Sequence, residues 1–108
     1  MPRQISVAEL ASMLATGQPV LLVDVRQPWE HETVALPASL LIPLSELEER
    51  WTEAEPTAPA LIVTYCHHGV RSLGAAALLE ARGLGPVASL RGGIDAWSQE
   101  IDHQLPRY

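Results

Sequence analysis

At 108 residues the chain has enough length for one hydrophobic core and too little for two ordinary domains, so residues 1–108 are read as a single domain. A hydrophobic fraction of 47% against 19% charged residues excludes a disordered chain, and no apolar run reaches membrane-spanning length. All seven basic residues are arginines, the formal net charge is −6 and the pI is near 5.0, which argues against nucleic acid as a partner.

The opening MPRQIS lacks the apolar stretch of a signal peptide, and a cytoplasmic location is expected. Ser6-Val7-Ala8-Glu9 has the form of a capping box, and Val7, Leu10, Ala11 and Leu14 make one apolar helical stripe that Gly17 ends. Val20 to Val23 reads as a strand running into Asp24-Val25-Arg26. Pro28 suits the first turn of a short helix through Trp29 to Glu32. Leu36-Pro37-Ala38 is a loop, and Ser39 to Ile42 a short strand closed by Pro43. A second capping box, Ser45-Glu46-Leu47-Glu48, opens a helix with Leu44, Leu47 and Trp51 on one side, and Glu46, Glu48 and Glu49 read as its solvated face. Glu53 to Ala60, with Pro56 and Pro59, is an exposed connection.

Leu61 to Tyr65 is a β-rich run of the kind buried on both faces of a sheet, and it should be central. Ser72 to Arg82 is rich in alanine and leucine and favours helix, which Gly83, Gly85 and Pro86 stop. Val87 to Leu90 is a last strand. Arg91-Gly92-Gly93 turns the chain, and Ile94, Trp97 and Ile101 mark a final helix in which Ile94 and Trp97 belong to the core. His103 to Tyr108 shows no periodicity and is expected to drape over the surface. Strands alternating with helices through short connections imply an α/β fold with a mostly parallel sheet covered on both faces. Ligands of such sheets bind at the carboxyl ends of strands, where Asp24 to Arg26 and Cys66 to Arg71 both fall.

Between the central strand and the following helix lies the chain's only cysteine, Cys66. The first N–H groups of a helix have no partner inside it and favour negative charge, so a thiolate suits this place. Gly69 supplies freedom for a tight turn, and Arg71 brings a fixed positive charge. One cysteine permits neither an internal disulfide nor a redox cycle with a resolving cysteine in the same chain, so whatever is loaded onto Cys66 must leave for another molecule. The plain alternative for Cys66 is a buried structural thiol. His67 and His68 read either as rim residues facing solvent or as imidazolium partners of the thiolate or of an anionic donor. A metal site built from Cys66, His67 and His68 is disfavoured because consecutive residues seldom converge on one tetrahedral centre. Asp24 and Arg26 are either site residues or a surface ion pair that shapes the turn.

Four pieces in order carry a family resemblance: Val23-Asp24-Val25-Arg26 with Glu30, Leu36-Pro37-Ala38 to Ile42-Pro43, Cys66-His-His-Gly-Val-Arg71-Ser72, and Leu90-Arg-Gly-Gly-Ile-Asp-Ala-Trp97. Together they resemble the single-domain rhodaneses, a family of sulfurtransferases. The resemblance implies a five-stranded parallel sheet flanked by helices, with Cys66 as nucleophile. His67, His68, Gly69, Val70, Arg71 and Ser72 would form a substrate-binding cradle, with Asp24 and Arg26 in support. It implies attack of the thiolate on the outer sulfur of a small anionic donor such as thiosulfate. The resulting persulfide would pass to cyanide or to a thiol acceptor, whether a small thiol, a thioredoxin-like protein or a sulfur-relay protein. No metal, organic cofactor or membrane is implied. Val34-Ala35-Leu36-Pro37-Ala38 stands where many members carry Gly-His-Ile-Pro-Gly, and the two histidines replace smaller or charged residues.

Two other functions compete. Cysteine-dependent phosphatases also set a thiolate in a loop closed by arginine, but with five intervening residues where this chain has four, His67 to Val70. The smaller ring suits a sulfur atom better than a tetrahedral phosphate. A non-catalytic binding module is the second, and such degenerate members commonly lose the cysteine that is retained here. No G-x-G-x-x-G follows a strand, and without lysine there is no G-x-x-x-x-G-K-[ST] loop.

Overall fold

The computed structural model describes residues 2–108 and shows one five-stranded sheet in which every pairing is parallel. In chain order the elements are β1 (Arg3–Ile5), α1 (Val7–Ala15), β2 (Val20–Asp24), α2 (Pro28–Thr33), β3 (Leu40–Leu41) and α3 (Leu44–Arg50). A 3-10 turn (Trp51–Ala54) follows, then β4 (Leu61–Tyr65), α4 (Val70–Ala81), β5 (Val87–Leu90) and α5 (Gly93–Glu100). The spatial order β1-β5-β4-β2-β3 puts β4 at the centre, as its uninterrupted apolar run requires.

The two-residue period of the strands sorts their side chains into two cores. Leu22, Val63, Tyr65, Ala88 and Leu90 face α1 and α5 and meet Leu10, Ile94 and Trp97. Val23, Ile62 and Val87 face α3 and α4 and meet Leu47, Ala75, Ala76 and Leu79, with Cys66 at the edge of this second layer. After β2 the chain moves outward to β3, and after β4 it moves the other way to β5. The reversal lies between β2 and β4, whose carboxyl ends therefore flank the crevice.

Three local expectations are corrected or refined. The Ser6 box forms in full, with Glu9 N–H donating to Ser6 Oγ and Ser6 N–H to Glu9 Oε1, both at 3.1 Å. The Ser45 box does not. Leu44 N–H donates instead to Val25 O at 3.1 Å and Pro43 takes the cap position, so Ser45 lies inside α3, beyond the reach of a capping role. A strand also precedes α1 where none was expected, since Arg3 to Ile5 add β1 to the edge of β5. The connection before β4 buries Ala54 fully. No helix among the described residues is long and apolar enough to cross a membrane.

Candidate active site

The Cys66 loop is held from behind by the turn into α5. Ile94 N–H donates to Cys66 O at 2.9 Å and Asp95 N–H to His67 O at 3.1 Å, so the unpartnered donors of one helix end satisfy the loop's carbonyls. The approach is close enough to require glycine: Gly93 has φ +61°, and a Cβ there would overlap the carbonyl oxygens of both Cys66 and His67. Gly69, at φ +104°, makes the second tight turn and caps α4.

With its carbonyls drawn backward, the loop turns N–H groups toward the sulfur. Gly69 N–H reaches Cys66 Sγ at 3.1 Å and Ser72 N–H at 3.4 Å, and Ser72 Oγ lies 3.5 Å from it. Cys66 is 1% exposed. The remaining loop side chains diverge. Val70 faces solvent, His68 is mostly exposed, and Arg71 leaves the sulfur to form a two-pronged pair with Glu30, Nη1 to Oε1 at 2.7 Å and Nη2 to Oε2 at 2.9 Å. Its charge still interacts with Cys66, while the Glu30 hydrogen bond raises its own pKa against the opposing effect of burial.

Asp24 and Arg26 are fully buried, which removes the reading of a surface ion pair. Arg26 Nε donates to Asp24 Oδ1 at 2.8 Å and Nη2 to Asp24 Oδ2 at 2.6 Å, while Nη2 also reaches Val34 O at 2.6 Å. Burial opposes the Arg26 charge, but the bonds to Asp24 and then Tyr108 raise its pKa above the ordinary value. His31 Nδ1 is 2.8 Å from the same Asp24 carboxylate.

The tail does more than drape over the surface. Tyr108 OH accepts from Arg26 Nη1 at 2.8 Å and donates to Glu30 Oε2 at 2.7 Å, linking the β2 end to the Arg71 pair. Burial, and then the bond to Glu30, push its phenol up to about 12, so it stays protonated and able to donate. Glu30 is held down at about 2, first by Arg71, against burial, and further by Tyr108 and the Gln27 N–H. Nothing in the aperiodic tail sequence marked Tyr108; Glu30 was visible only as part of the resemblance.

The Tyr108 ring also stacks on His67 at 4.1 Å, and His67 stacks on His68 at 4.1 Å. His67 is therefore no free rim residue, whereas His68 keeps most of its side chain in solvent while stacking on His67 and facing Asp95 at 3.5 Å. Burial first, and the neighbouring His68 second, hold the His67 pKa below the ordinary histidine range, with Asp95 opposing. This disfavours an imidazolium role at neutral pH. His67, His68 and Asp95 form the one cluster among the described residues with metal-ligand chemistry, their nearest ligand atoms lying within 4.8 Å of one another. The two imidazoles are stacked 15° from parallel, and Asp95 is already engaged by Arg107 at 3.0 Å and Gln99 at 2.8 Å. The cluster acts as an anchor for the loop rim.

Fold and loop together define an α/β protein with a buried free cysteine at the reversal point of a parallel sheet. The chain belongs to the rhodanese-like family, whose Rhodanese-like domain matches residues 6–100. It is 38% identical over 106 residues to a sulfurtransferase of Allochromatium vinosum, covering 98% of this chain and 94% of that one. It is 33% identical to the probable adenylyltransferase/sulfurtransferase MoeZ of Mycobacterium tuberculosis, over 96% of this chain but 26% of that longer protein. The crystal structure of a rhodanese-related protein from Thermoplasma volcanium superposes with a TM-score of 0.81 at 32% identity, covering 92% of this chain and 93% of that one.

Proposed function

We propose that the protein moves sulfane sulfur from a small anionic donor such as thiosulfate to a thiol or cyanide through a persulfide on Cys66. The observation that carries this reading is the convergence of the Gly69 and Ser72 N–H groups on Cys66 Sγ within a loop of four residues between Cys66 and Arg71. Donors placed there stabilise charge on sulfur as an oxyanion hole stabilises oxygen. The thiolate attacks the outer sulfur of thiosulfate, and sulfite leaves with the electron pair of the broken S–S bond. The acceptor then takes the outer sulfur, and the electron pair of the second S–S bond returns to Cys66.

Arg71, a third exposed and gripped by Glu30, presents a fixed cationic edge to an anionic donor. Its commitment to Glu30 also leaves it poorly placed to wrap a phosphate, which weighs against phosphatase chemistry. A persulfide that unloads onto thiols suits a reducing compartment, and the reading places the protein in the cytoplasm. Acceptors on this reading are small thiols, a thioredoxin-like protein or a sulfur-relay protein.

Incubation with thiosulfate should add the mass of one sulfur atom to the intact protein, and cyanide should remove it. Cys66→Ser should abolish both, and a Cys66→Ser protein with undiminished transfer would overturn the assignment. Cys66-dependent hydrolysis of an aryl phosphate in place of sulfur uptake would point to the phosphatase alternative.

A further inference from the structure

Behind Cys66 two buried hydroxyls follow in series, Ser72 of the loop and Ser89, which the loop motif does not include. Ser72 Oγ is 3.5 Å from Cys66 Sγ and 2.8 Å from Ser89 Oγ, and both serines are essentially inaccessible to solvent. Ser89 stands on β5 opposite Thr64 of β4. The Thr64 hydroxyl is occupied elsewhere, donating to Ser72 O at 2.8 Å and so pinning the Ser72 backbone. Ser89 Oγ has Ser72 Oγ as its sole hydrogen-bond partner among the described residues.

Counting protons along this chain gives it a direction. With a neutral thiol, the S–H donates to Ser72 Oγ and the Ser72 proton to Ser89 Oγ, which leaves the Ser89 proton without an acceptor in a buried site. With an anionic or persulfidated Cys66, Sγ can only accept. Ser72 O–H then donates to Sγ and Ser89 O–H to Ser72 Oγ, and both hydroxyl protons are used. Donors in series polarise one another and strengthen the bond at the charged end.

We propose that Ser89 is a positioning residue for the sulfur chemistry, its buried hydroxyl turning the Ser72 proton onto Cys66 Sγ. The effect falls where the reaction needs it. In the loaded state the negative charge sits on the outer sulfur, and it returns to Sγ as the S–S bond breaks and the acceptor takes the outer sulfur. A donor aimed at Sγ is therefore worth more in the transition state of discharge than in the persulfide. In the loading step the same donor favours the nucleophilic form of Cys66.

The inference rests on the persulfide reading for its role in turnover, and its central test is independent of that reading. The unloaded thiol is alkylated with iodoacetamide at fixed neutral pH in the wild type, Ser89→Ala, Ser72→Ala and the double variant. Ser89→Ala should slow alkylation by about three- to tenfold, the range expected for weakening a hydrogen bond to a charged group. In the Ser72→Ala background the Ser89 substitution should add nothing, because its action passes through Ser72. Single-turnover discharge of the persulfide to cyanide should fall by a similar factor while the KM for thiosulfate stays unchanged.

Ser89→Thr and Ser89→Val give a second comparison with matched shape and strand preference, differing in the hydroxyl alone. The threonine variant should react several-fold faster than the valine variant. Equal rates for that pair, or the same slowing by Ser89→Ala with and without Ser72, would overturn the proposal. Ser89-dependent alkylation in a protein that takes up no sulfur would support the hydroxyl chain while defeating the transfer reading.

Discussion

The two flanks of the crevice are built by different means. On the β4 flank the Cys66 loop is shaped by backbone: Cys66 O and His67 O receive N–H groups from α5, and Gly69 and Ser72 turn theirs toward the sulfur. On the β2 flank the wall is a side-chain network in which Arg26 joins Asp24, Val34 O and Tyr108, and Tyr108 joins Glu30, which holds Arg71. Backbone donors carry no titrating proton and survive most side-chain substitutions. The ionic wall is sensitive to both, and it reaches the loop through Arg71 and through the Tyr108 ring stacked on His67. The active loop is thus the insensitive part, and the tuning of its surroundings is the labile part.

The largest expected effect tests the ionic flank. Arg26→Met leaves the Asp24 carboxylate buried without its guanidinium and should lower stability by about 3–5 kcal/mol, measured by urea unfolding. A loss below about 1 kcal/mol would mean that His31, 2.8 Å from Asp24, suffices to satisfy the carboxylate and that the wall is less interdependent than described.

The backbone flank is broken by Gly93→Ala. Its Cβ would overlap the loop carbonyls at φ +61°, so the turn and the Cys66 loop must separate. A loss of about 2–3 kcal/mol is expected from the strain and displaced hydrogen bonds, together with loss of sulfur loading after thiosulfate. Unchanged loading in the folded variant would show that α5 does not shape the loop.

The smallest effect sharpens the contrast through pH. The Glu30 carboxyl sits at about 2 in the fold against an ordinary value of 4.5, a depressed pKa caused first by Arg71. Its stabilising contribution is therefore complete above about pH 4.5 and is lost as the pH falls toward about 2. With allowance for the solvent exposure of Arg71, it amounts to about 2 kcal/mol. Unfolding free energies of the wild type and Glu30→Gln should diverge across that window, with the glutamine curve the flatter. Parallel curves would remove Glu30 as the acid-sensitive member of the wall.

The sequence by itself determined the alternation of strands and helices, the central place of Leu61 to Tyr65, the strand-loop-helix setting of Cys66 and the four-residue spacing to Arg71. These are local properties: apolar periodicity, helix propensity and turn chemistry act over a few residues and leave a readable pattern. Even so, the expected capping box at Ser45 gave way to a bond between Leu44 and Val25, since tertiary pairing overrode a local signal.

The tertiary structure alone decided who partners whom around the sulfur. Arg71 meets Glu30 across 41 residues, Tyr108 meets Glu30 across 78, and Ser72 meets Ser89 across 17. Such contacts depend on where the sheet order brings strand ends together and have no periodic signature. A serine within the buried run Val87 to Leu90 was the one hint, because a buried hydroxyl must find a partner. That its partner stands beside Cys66 follows only from β5 lying next to β4.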